Sequence, residues 1–252
     1  MSRRNRHLVL LLGAVVAVAF TLTLQVGERL VRIPGDLVAC EPEGTWLTSA
    51  NEQLLPDGSG RELRLEPGGV YQLVRATEEV AHHVDKPTGH LLGITPDLRA
   101  VVYEPGFPTA RPKNPEVAAI TAFGIGEHGI APPQTTRLPL PKTVRTVADG
   151  VLSPDGQQVA WCFVSEYERP GIGLLRRFSP PLADRFPPHR MWEVWLSRTD
   201  GSQLREVAAA PEPPFDGWHV PPPTPTGFLT VGWSRKTGQL QLAYHGTRYR
   251  LR

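Results

Sequence analysis

A short turn followed by a strand recurs in this sequence, and the repeat constrains the fold more than any other feature. Residues 153–161 read SPDGQQVAW, and residues 95–103 match them without a gap as TPDLRAVVY. In the first copy, proline presets φ for one corner of a turn, aspartate suits the next corner, and glycine tolerates the positive φ that follows. Apolar residues then alternate with polar or small ones, as in a half-buried strand. We expect the turn and strand to depend on Pro154, Asp155, Gly156 and Trp161, and on Pro96 and Tyr103 in the second copy.

Short alternating segments dominate the rest of the chain. In Arg61–Glu66 the leucines fall on one face and the charges on the other, and Leu240–Tyr244 and Thr247–Arg252 alternate likewise. This pattern is typical of antiparallel strands with one face in water. Helical periodicity is almost absent, and only Glu116–Phe123 shows a weak helical pattern. The sequence therefore predicts an all-β domain.

A second repeated element has the order tryptophan, Asp-Gly turn, amphipathic strand. Trp195 precedes the turn at Asp200-Gly201, and Trp46 precedes the turn at Asp57-Gly58. We expect the two tryptophans to be equivalent core anchors, with a longer first loop after Trp46.

The order of these elements resembles one blade of a TolB-type, WD-repeat-like β-propeller. The resemblance is good over Val151–Val207, fair over His90–Tyr103 and poor over Phe228–Tyr244, where Tyr244 takes the aromatic position. It implies that each blade has an inner strand ending in the Ser-Pro-Asp-Gly turn, and that a second strand carries the aromatic residue. Leu98 stands where the turn glycine is expected and leucine adopts positive φ at a cost, so a turn of another type is predicted there.

The length of residues 37–252 suits about four blades, so the repeat predicts a small, degenerate β-propeller. A regular blade takes about 40–45 residues, and the copies here lie further apart, so insertions are expected. A strand near Leu37–Cys40 could join the blade formed by the C-terminal strands and close the ring. An irregular β-sandwich is the alternative fold.

The N-terminal segment predicts a membrane anchor. A basic stub at residues 1–7 precedes an uncharged apolar run at residues 8–26, which is long enough to span a bilayer as one helix. The basic flank favours a cytoplasmic N-terminus. Residues 27–36 are then a linker, and the domain lies outside the cytoplasmic membrane. The alternative is a signal peptide cleaved near Ala17–Ala19, which would release a secreted or periplasmic domain.

The two cysteines leave two interpretations open. Cys40 and Cys162 can pair in an exported domain, or Cys162 can be a buried free thiol next to Trp161. Leu37–Cys40 also resembles a lipoprotein cleavage box, although charged residues separate it from the apolar run.

The sequence contains no pattern that indicates catalysis or a cofactor. It has no G-x-S-x-G elbow, no zinc-type cysteine spacing and no phosphate-binding glycine loop. The formal net charge of +2 gives no reason to expect nucleic-acid binding. The polar clusters that we considered as metal ligands or acid–base groups, and interpret as loops and strand edges, are His82, His83, Asp85 and His90, and Glu127 with His128.

A long insertion at Glu166–Arg190 is the best candidate for function. It is more apolar than a solvated loop requires, and arginines are interleaved with the apolar residues, as at protein-binding surfaces. The alternative is a segment that merely caps one end of the domain. A proline-rich loop at Pro211–Thr226 could line the same face. The predicted partner-binding residues are Ile172, Leu174, Leu175, Arg176, Arg177, Phe178, Phe186 and Trp218.

Together these patterns favour a non-catalytic, membrane-tethered envelope protein whose domain binds a protein partner. The resemblance implies this function, because TolB-like propellers commonly bind other envelope proteins. Two alternatives are open. One is a propeller-fold hydrolase or lyase with a polar site at one end of the channel, and the other is an inert structural spacer.

Overall fold

The computed structural model describes residues 37–40, 46–47, 52–66, 69–74, 79–84, 90–104, 119–126, 129–130, 134–169, 171–186, 188–211, 229–244 and 247–251. Over these ranges the chain consists of antiparallel strands and two short helices. The prediction of an all-β domain is confirmed.

Four antiparallel sheets follow one another along the chain. Sheet I contains β3 (Glu52–Leu54), β4 (Arg61–Glu66), β5 (Gly69–Val74) and β6 (Glu79–Val84). Sheet II contains β7 (His90–Ile94), β8 (Arg99–Glu104) and β9 (Ala119–Gly126), and its outer strand is divided into β10 (Gly129–Ile130) and β11 (Gln134–Arg137). Sheet III contains β12 (Val144–Leu152), β13 (Gln158–Tyr167), β14 (His189–Arg198) and β15 (Arg205–Pro211).

Sheet IV joins the two ends of the described chain. Its strands β16 (Leu229–Ser234), β17 (Leu240–Tyr244) and β18 (Thr247–Leu251) are followed at the outer edge by β1 (Leu37–Cys40). The short strand β2 (Trp46–Leu47) pairs with the other edge of β16. In the β1–β18 ladder Leu37 lies opposite Leu251, and Cys40 lies opposite Arg248. The predicted pairing of Leu37–Cys40 with the sheet of the C-terminal strands is confirmed. Four successive antiparallel sheets are the arrangement expected of propeller blades.

The hydrophobic core lies between successive sheets. Leu63 of sheet I packs with residues of sheet II, such as Val102 and Phe123. Trp161 of sheet III packs against Tyr103 of sheet II, with ring centroids 5.6 Å apart in an edge-to-face contact. A third cluster packs the other face of sheet III against sheet IV. Apolar side chains are therefore buried between sheets I and II, between sheets II and III, and between sheets III and IV.

Two glycines allow the first strands of sheets II and III to approach closely. A Cβ on Gly93 would lie 2.6 Å from Leu152 Cβ, and one on Gly150 would lie 2.7 Å from Leu92 Cδ2. Larger residues at either position would push β7 and β12 apart.

The aromatic positions of the repeat are structural. Trp161 is fully buried, and its Nε1 donates to Ser197 Oγ at 2.9 Å. Tyr244 and Trp195 are half-buried.

The two copies of the turn share one backbone conformation, so the prediction of a different turn at Leu98 is wrong. The Gly156 amide donates to the Ser153 carbonyl at 2.9 Å, and the Leu98 amide donates to the Thr95 carbonyl at 3.0 Å. Gly156 has φ of 72° and Leu98 has φ of 59°. Leucine is held in this unfavourable region because its side chain packs against the core between sheets I and II.

The predicted equivalence of Trp46 and Trp195 is also wrong. Trp46 belongs to β2 in sheet IV, whereas Trp195 lies in β14, the third strand of sheet III. Asp57-Gly58 forms the turn between the first two strands of sheet I, which is the position of SPDG in sheet III. Pro56 before Asp57 is the signal that identifies this segment as a further copy of the repeat.

Two further predictions have clear outcomes. The weak helical pattern at Glu116–Phe123 is misleading, because Ala119–Gly126 forms the central strand β9 with Ile120, Phe123 and Ile125 buried. Cys162 is a buried free thiol whose Sγ lies 3.9 Å from the Leu229 carbonyl. Burial raises the pKa of this thiol.

The predicted membrane-spanning segment, residues 8–26, lies outside the described residues, as do the stub at 1–7 and the linker at 27–36. Within the described ranges, no helix has the length and apolar character needed to cross a bilayer.

Candidate functional site

The insertion between β13 and β14 folds as a helical hairpin, which we define as residues 171–186. Helix α1 spans Ile172–Phe178 and helix α2 spans Pro180–Ala183. Gly171 precedes α1 with φ of 79°, and Pro180 opens α2, where its missing N–H costs nothing. The sequence predicts an irregular loop here, because helices of seven and four residues are too short to show a period.

Two residues anchor the helical hairpin. Ile172 at the start of α1 and Ala183 at the end of α2 are buried. Leu175 and Phe186 are half-buried. Of the predicted partner-binding residues, Ile172 is thus part of the support for the hairpin and does not belong to its surface.

The outer face of the hairpin is apolar and exposed. Leu174 is 63% exposed, Phe178 is 81% exposed and Leu182 is 41% exposed. Tyr167, at the end of the strand that leads into the hairpin, is 37% exposed. Wherever side chains are described, no other large hydrophobic residue is exposed to this degree. Isolated exposed apolar residues are ordinary, but their concentration on one element marks a contact surface.

Arginines accompany this apolar face. Arg176 pairs with Glu168 at 3.1 Å, so its charge is partly balanced. Arg177 and Arg185 are exposed, and neither forms an ion pair with a described residue. Below the hairpin, Glu166 bridges Arg145 at 3.2 Å and Arg190 at 3.1 Å, which ties the ends of β13 and β14 together.

A buried carboxylate fastens the base of the hairpin to sheet III. Glu193 is 1% exposed and accepts hydrogen bonds from Ser165 Oγ at 2.8 Å and Trp195 Nε1 at 2.9 Å. The Tyr167 hydroxyl donates to the other Glu193 oxygen. Burying a carboxylate is costly unless donors satisfy it, and three neutral donors do so here. This network is absent from the sequence predictions. Its signal is a glutamate flanked by Trp192 and Val194 in a buried strand.

The network also changes the acidity of Tyr167. Burial of the hydroxyl raises the pKa of Tyr167 to about 12, and its hydrogen bond to Glu193 acts in the same direction. The hydroxyl therefore stays protonated and keeps donating to Glu193 at ordinary pH.

The other candidate residues do not come together in the described part of the protein. Trp218, Asp85, Glu127 and His128 lie outside the described residues, and most of the loop at Pro211–Thr226 does too. His82 and His83 lie in β6, but only their backbone is described. His90 is exposed and stacks on Tyr103 with ring centroids 6.4 Å apart. Within the described ranges no group of three His, Cys, Asp or Glu side chains is placed to hold a metal ion.

Comparison with known proteins gives weak structural likenesses. No protein-family model matches the sequence, and no curated protein matches it at a significant level. Similar solved structures include the WD40 domain of SCAP from fission yeast, at 10% identity and a TM-score of 0.31. That match covers 76% of this chain but 45% of the yeast domain, so the chain spans less than half of its length.

Another similar structure is a putative TolB from Agrobacterium tumefaciens, at 16% identity and a TM-score of 0.30. That match covers 83% of this chain and 90% of the other. The assignment of the fold above rests on the pairing and order of the strands.

Proposed function

We propose that this protein is a membrane-tethered, non-catalytic envelope protein that binds a protein partner through the helical hairpin. One observation carries the proposal: the exposed large apolar side chains of the described residues concentrate on the hairpin and the strand end beside it. A free apolar face of this kind gains stability when a partner covers it, at about 25 cal/mol for each Å² of apolar surface buried.

The support of the hairpin fits this role. If a surface becomes ordered only when the partner binds, the entropy cost of ordering reduces the free energy of binding. A pre-ordered surface avoids this cost. Here Ile172 and Ala183 are buried, and Tyr167 and Ser165 bond to the buried Glu193 directly beneath. Leu174 and Phe178 are therefore displayed on a pre-formed support. A segment that merely capped the domain would turn these side chains inward.

The binding role is tested by site-specific photo-crosslinking in the membranes of the native host. Benzoylphenylalanine replaces Phe178 in the full-length protein, and the same probe at the exposed Gln157 in a turn of sheet III is the control. We expect a discrete protein adduct from position 178 and none from position 157. Leu174→Ser together with Leu182→Ser should lower the adduct yield at position 178 at least about tenfold, which corresponds to about 1.4 kcal/mol. An equal yield from both positions would refute the proposal.

The membrane tether follows from residues 8–26, with the domain outside the cytoplasmic membrane. Fusion of alkaline phosphatase after Arg252 should give an active enzyme, and fusion of green fluorescent protein at the same place should give no fluorescence. Carbonate extraction separates the anchor from a cleaved signal peptide. An uncleaved anchor keeps the protein in the pellet, whereas a released domain moves to the supernatant.

A further inference from the structure

We infer that the partner presents an apolar side chain flanked by carboxylates, and that it approaches the end of the domain that lies away from the membrane. This inference rests on the proposed function and deepens it. It identifies the chemistry of the occupant and favours a protein over the lipid bilayer.

The geometry of α1 favours such a partner. Leu174 and Phe178 are four residues apart and lie on one face of the helix, one turn from each other. Arg177 is three residues after Leu174, so it flanks the same face. A side chain that fits between the two apolar residues therefore comes within reach of a guanidinium group.

The charge of the hairpin favours an acidic partner. The hairpin carries Arg176, Arg177 and Arg185 against the single carboxylate of Asp184, so it has an excess of positive charge. The acidic residues just before it are already used, because Glu168 binds Arg176 and Glu166 binds Arg145 and Arg190. Among the described residues, Arg177 and Arg185 thus have no acidic partner, and they lie beside an apolar face. Guanidinium binds carboxylate through two parallel hydrogen bonds, which makes acidic groups the natural complement.

The topology of the sheets places the hairpin at the end of the domain opposite the entry of the chain. The hairpin joins β13 to β14, so it lies at the end of sheet III opposite the turns at residues 153–157 and 199–204. In sheet IV, β1 runs antiparallel to β18 and begins at Leu37 opposite Leu251, where β18 ends. The third strand of sheet III ends at the turn at 199–204. Strand β18 is the third strand of sheet IV, so its end corresponds to the end of β14, at the turn 199–204. The chain enters the domain at Leu37, at this end of the sheet. The hairpin lies at the opposite end.

Chain length disfavours the bilayer as the occupant. The predicted linker at residues 27–36 reaches at most about 35 Å when fully extended. Strand β13 has ten residues and is itself about 33 Å long. A hairpin buried in the bilayer would use almost the whole linker to turn the domain over. With the domain upright, the hairpin points away from the lipid and meets another protein.

The test adds charge variants to the crosslinking experiment at position 178 in native membranes. Arg177→Glu with Arg185→Glu should lower the yield of the protein adduct at least about tenfold. Arg177→Lys with Arg185→Lys keeps the charge but loses the paired hydrogen bonds, so its yield should lie between those of the parent and the glutamate form. Arg235→Glu with Lys236→Glu is the matched control, since this exposed pair lies in the turn after β16 at the other end of its sheet. That control should leave the yield unchanged. Equal melting temperatures of all variants exclude loss of folding as the cause.

The possible outcomes separate this inference from the proposed function. A protein adduct whose yield is the same in the glutamate and parent forms would overturn the acidic partner and leave the binding role intact. Phospholipid or acyl adducts at position 178, detected by mass spectrometry of the hairpin peptide, would overturn both. So would the absence of any adduct. A charge-dependent protein adduct supports both, and its yield should fall when salt is raised from 0.05 M to 0.5 M.

Discussion

At the scale of single residues, the repeated turn shows what its conformation requires. Gly156 and Leu98 occupy the same left-handed region, with φ of 72° and 59°. The conformation therefore belongs to the turn, and glycine only makes it cheaper. The proline and aspartate of each copy specify the turn well enough to predict it. The sequence could not show that Leu98 accepts the strain, because the compensating contact is with a cluster that forms only when sheets I and II pack together.

Gly156 has a second constraint that gives a testable prediction. A Cβ there would lie 2.8 Å from Thr95 Cγ2, because the two copies of the turn are in contact. Gly156→Ala should cost about 1 kcal/mol for its positive φ and about 1–3 kcal/mol more for the steric conflict. Urea denaturation followed by tryptophan fluorescence measures the loss of unfolding free energy.

Gly238→Ala is the matched control for this prediction. Gly238 has φ of 66°, and no atom lies within 4 Å of its added Cβ. This variant should lose about 1 kcal/mol only. If the two alanine variants were equally destabilised, the contact between the turns would contribute nothing.

At the scale of secondary-structure elements, composition singled out the segment that carries exposed apolar side chains but did not predict its structure. The apolar residues and arginines of 166–190 predicted a surface, and Leu174 and Phe178 are indeed exposed. Neither the two helices nor the burial of Ile172 could be predicted, because a seven-residue helix has only two turns of pattern. The donors to the buried Glu193 could not be predicted either, since Ser165 and Tyr167 lie on the neighbouring strand and approach it only in the folded sheet.

The bond between Tyr167 and Glu193 predicts a dependence of stability on pH. Tyrosine ionises near pH 10 in an unfolded chain, whereas Tyr167 in the folded protein has a pKa of about 12. The folded state therefore keeps a proton that the unfolded state loses. The stabilisation from Tyr167 is complete below about pH 10 and declines as the pH rises from about 10 towards 12.

This dependence is measured by comparing the parent protein with Tyr167→Phe. The difference in their unfolding free energies should be largest near pH 9 and should shrink towards about pH 11.5. Ser165→Ala removes another donor to Glu193 without removing a titrating group, so its difference from the parent should change little over the same range. A difference for Tyr167→Phe that grows with pH would contradict the assigned bond.

At the scale of the whole molecule, the repeat and the pairing of β1 with the C-terminal strands were predictable. The assignment of each repeat copy to its sheet was not. The two clear copies led to about four blades, which agrees with the four sheets. The copy at Leu55–Gly58 was missed, because its Asp-Gly pair resembles the turn at Asp200-Gly201 as closely as it resembles SPDG. The pairing of β2 with β16 and that of β3 with β4 show which alignment is right.

The pairing of β1 with β18 gives a prediction that tests the register of these two strands. Ala39 lies opposite Tyr249 in the β1–β18 ladder, where paired Cα atoms are about 4.5–5.5 Å apart. This distance suits a disulfide. With Cys40 replaced by Ser, Ala39→Cys with Tyr249→Cys should form a bond under mild oxidation, seen as a loss of two mass units without reductant. Because the bridge closes a very long loop, it should raise stability by about 4 kcal/mol.

Ala39→Cys with Ser202→Cys is the control for this pair, since Ser202 is exposed and lies in the turn between β14 and β15. No bridge should form between these residues. A bridge formed equally well in both pairs would show that residue 39 is not held in the β1–β18 ladder.

The position of β1 at the outer edge of sheet IV has a consequence for the quality control of this protein in the cell. Its partner β18 is the last described strand, so a chain broken off before residue 247 has nothing to which β1 can add. Such a fragment carries a free strand edge, which invites aggregation and recognition by chaperones and proteases. The ladder between β1 and β18 therefore forms only in a chain that extends through residue 251.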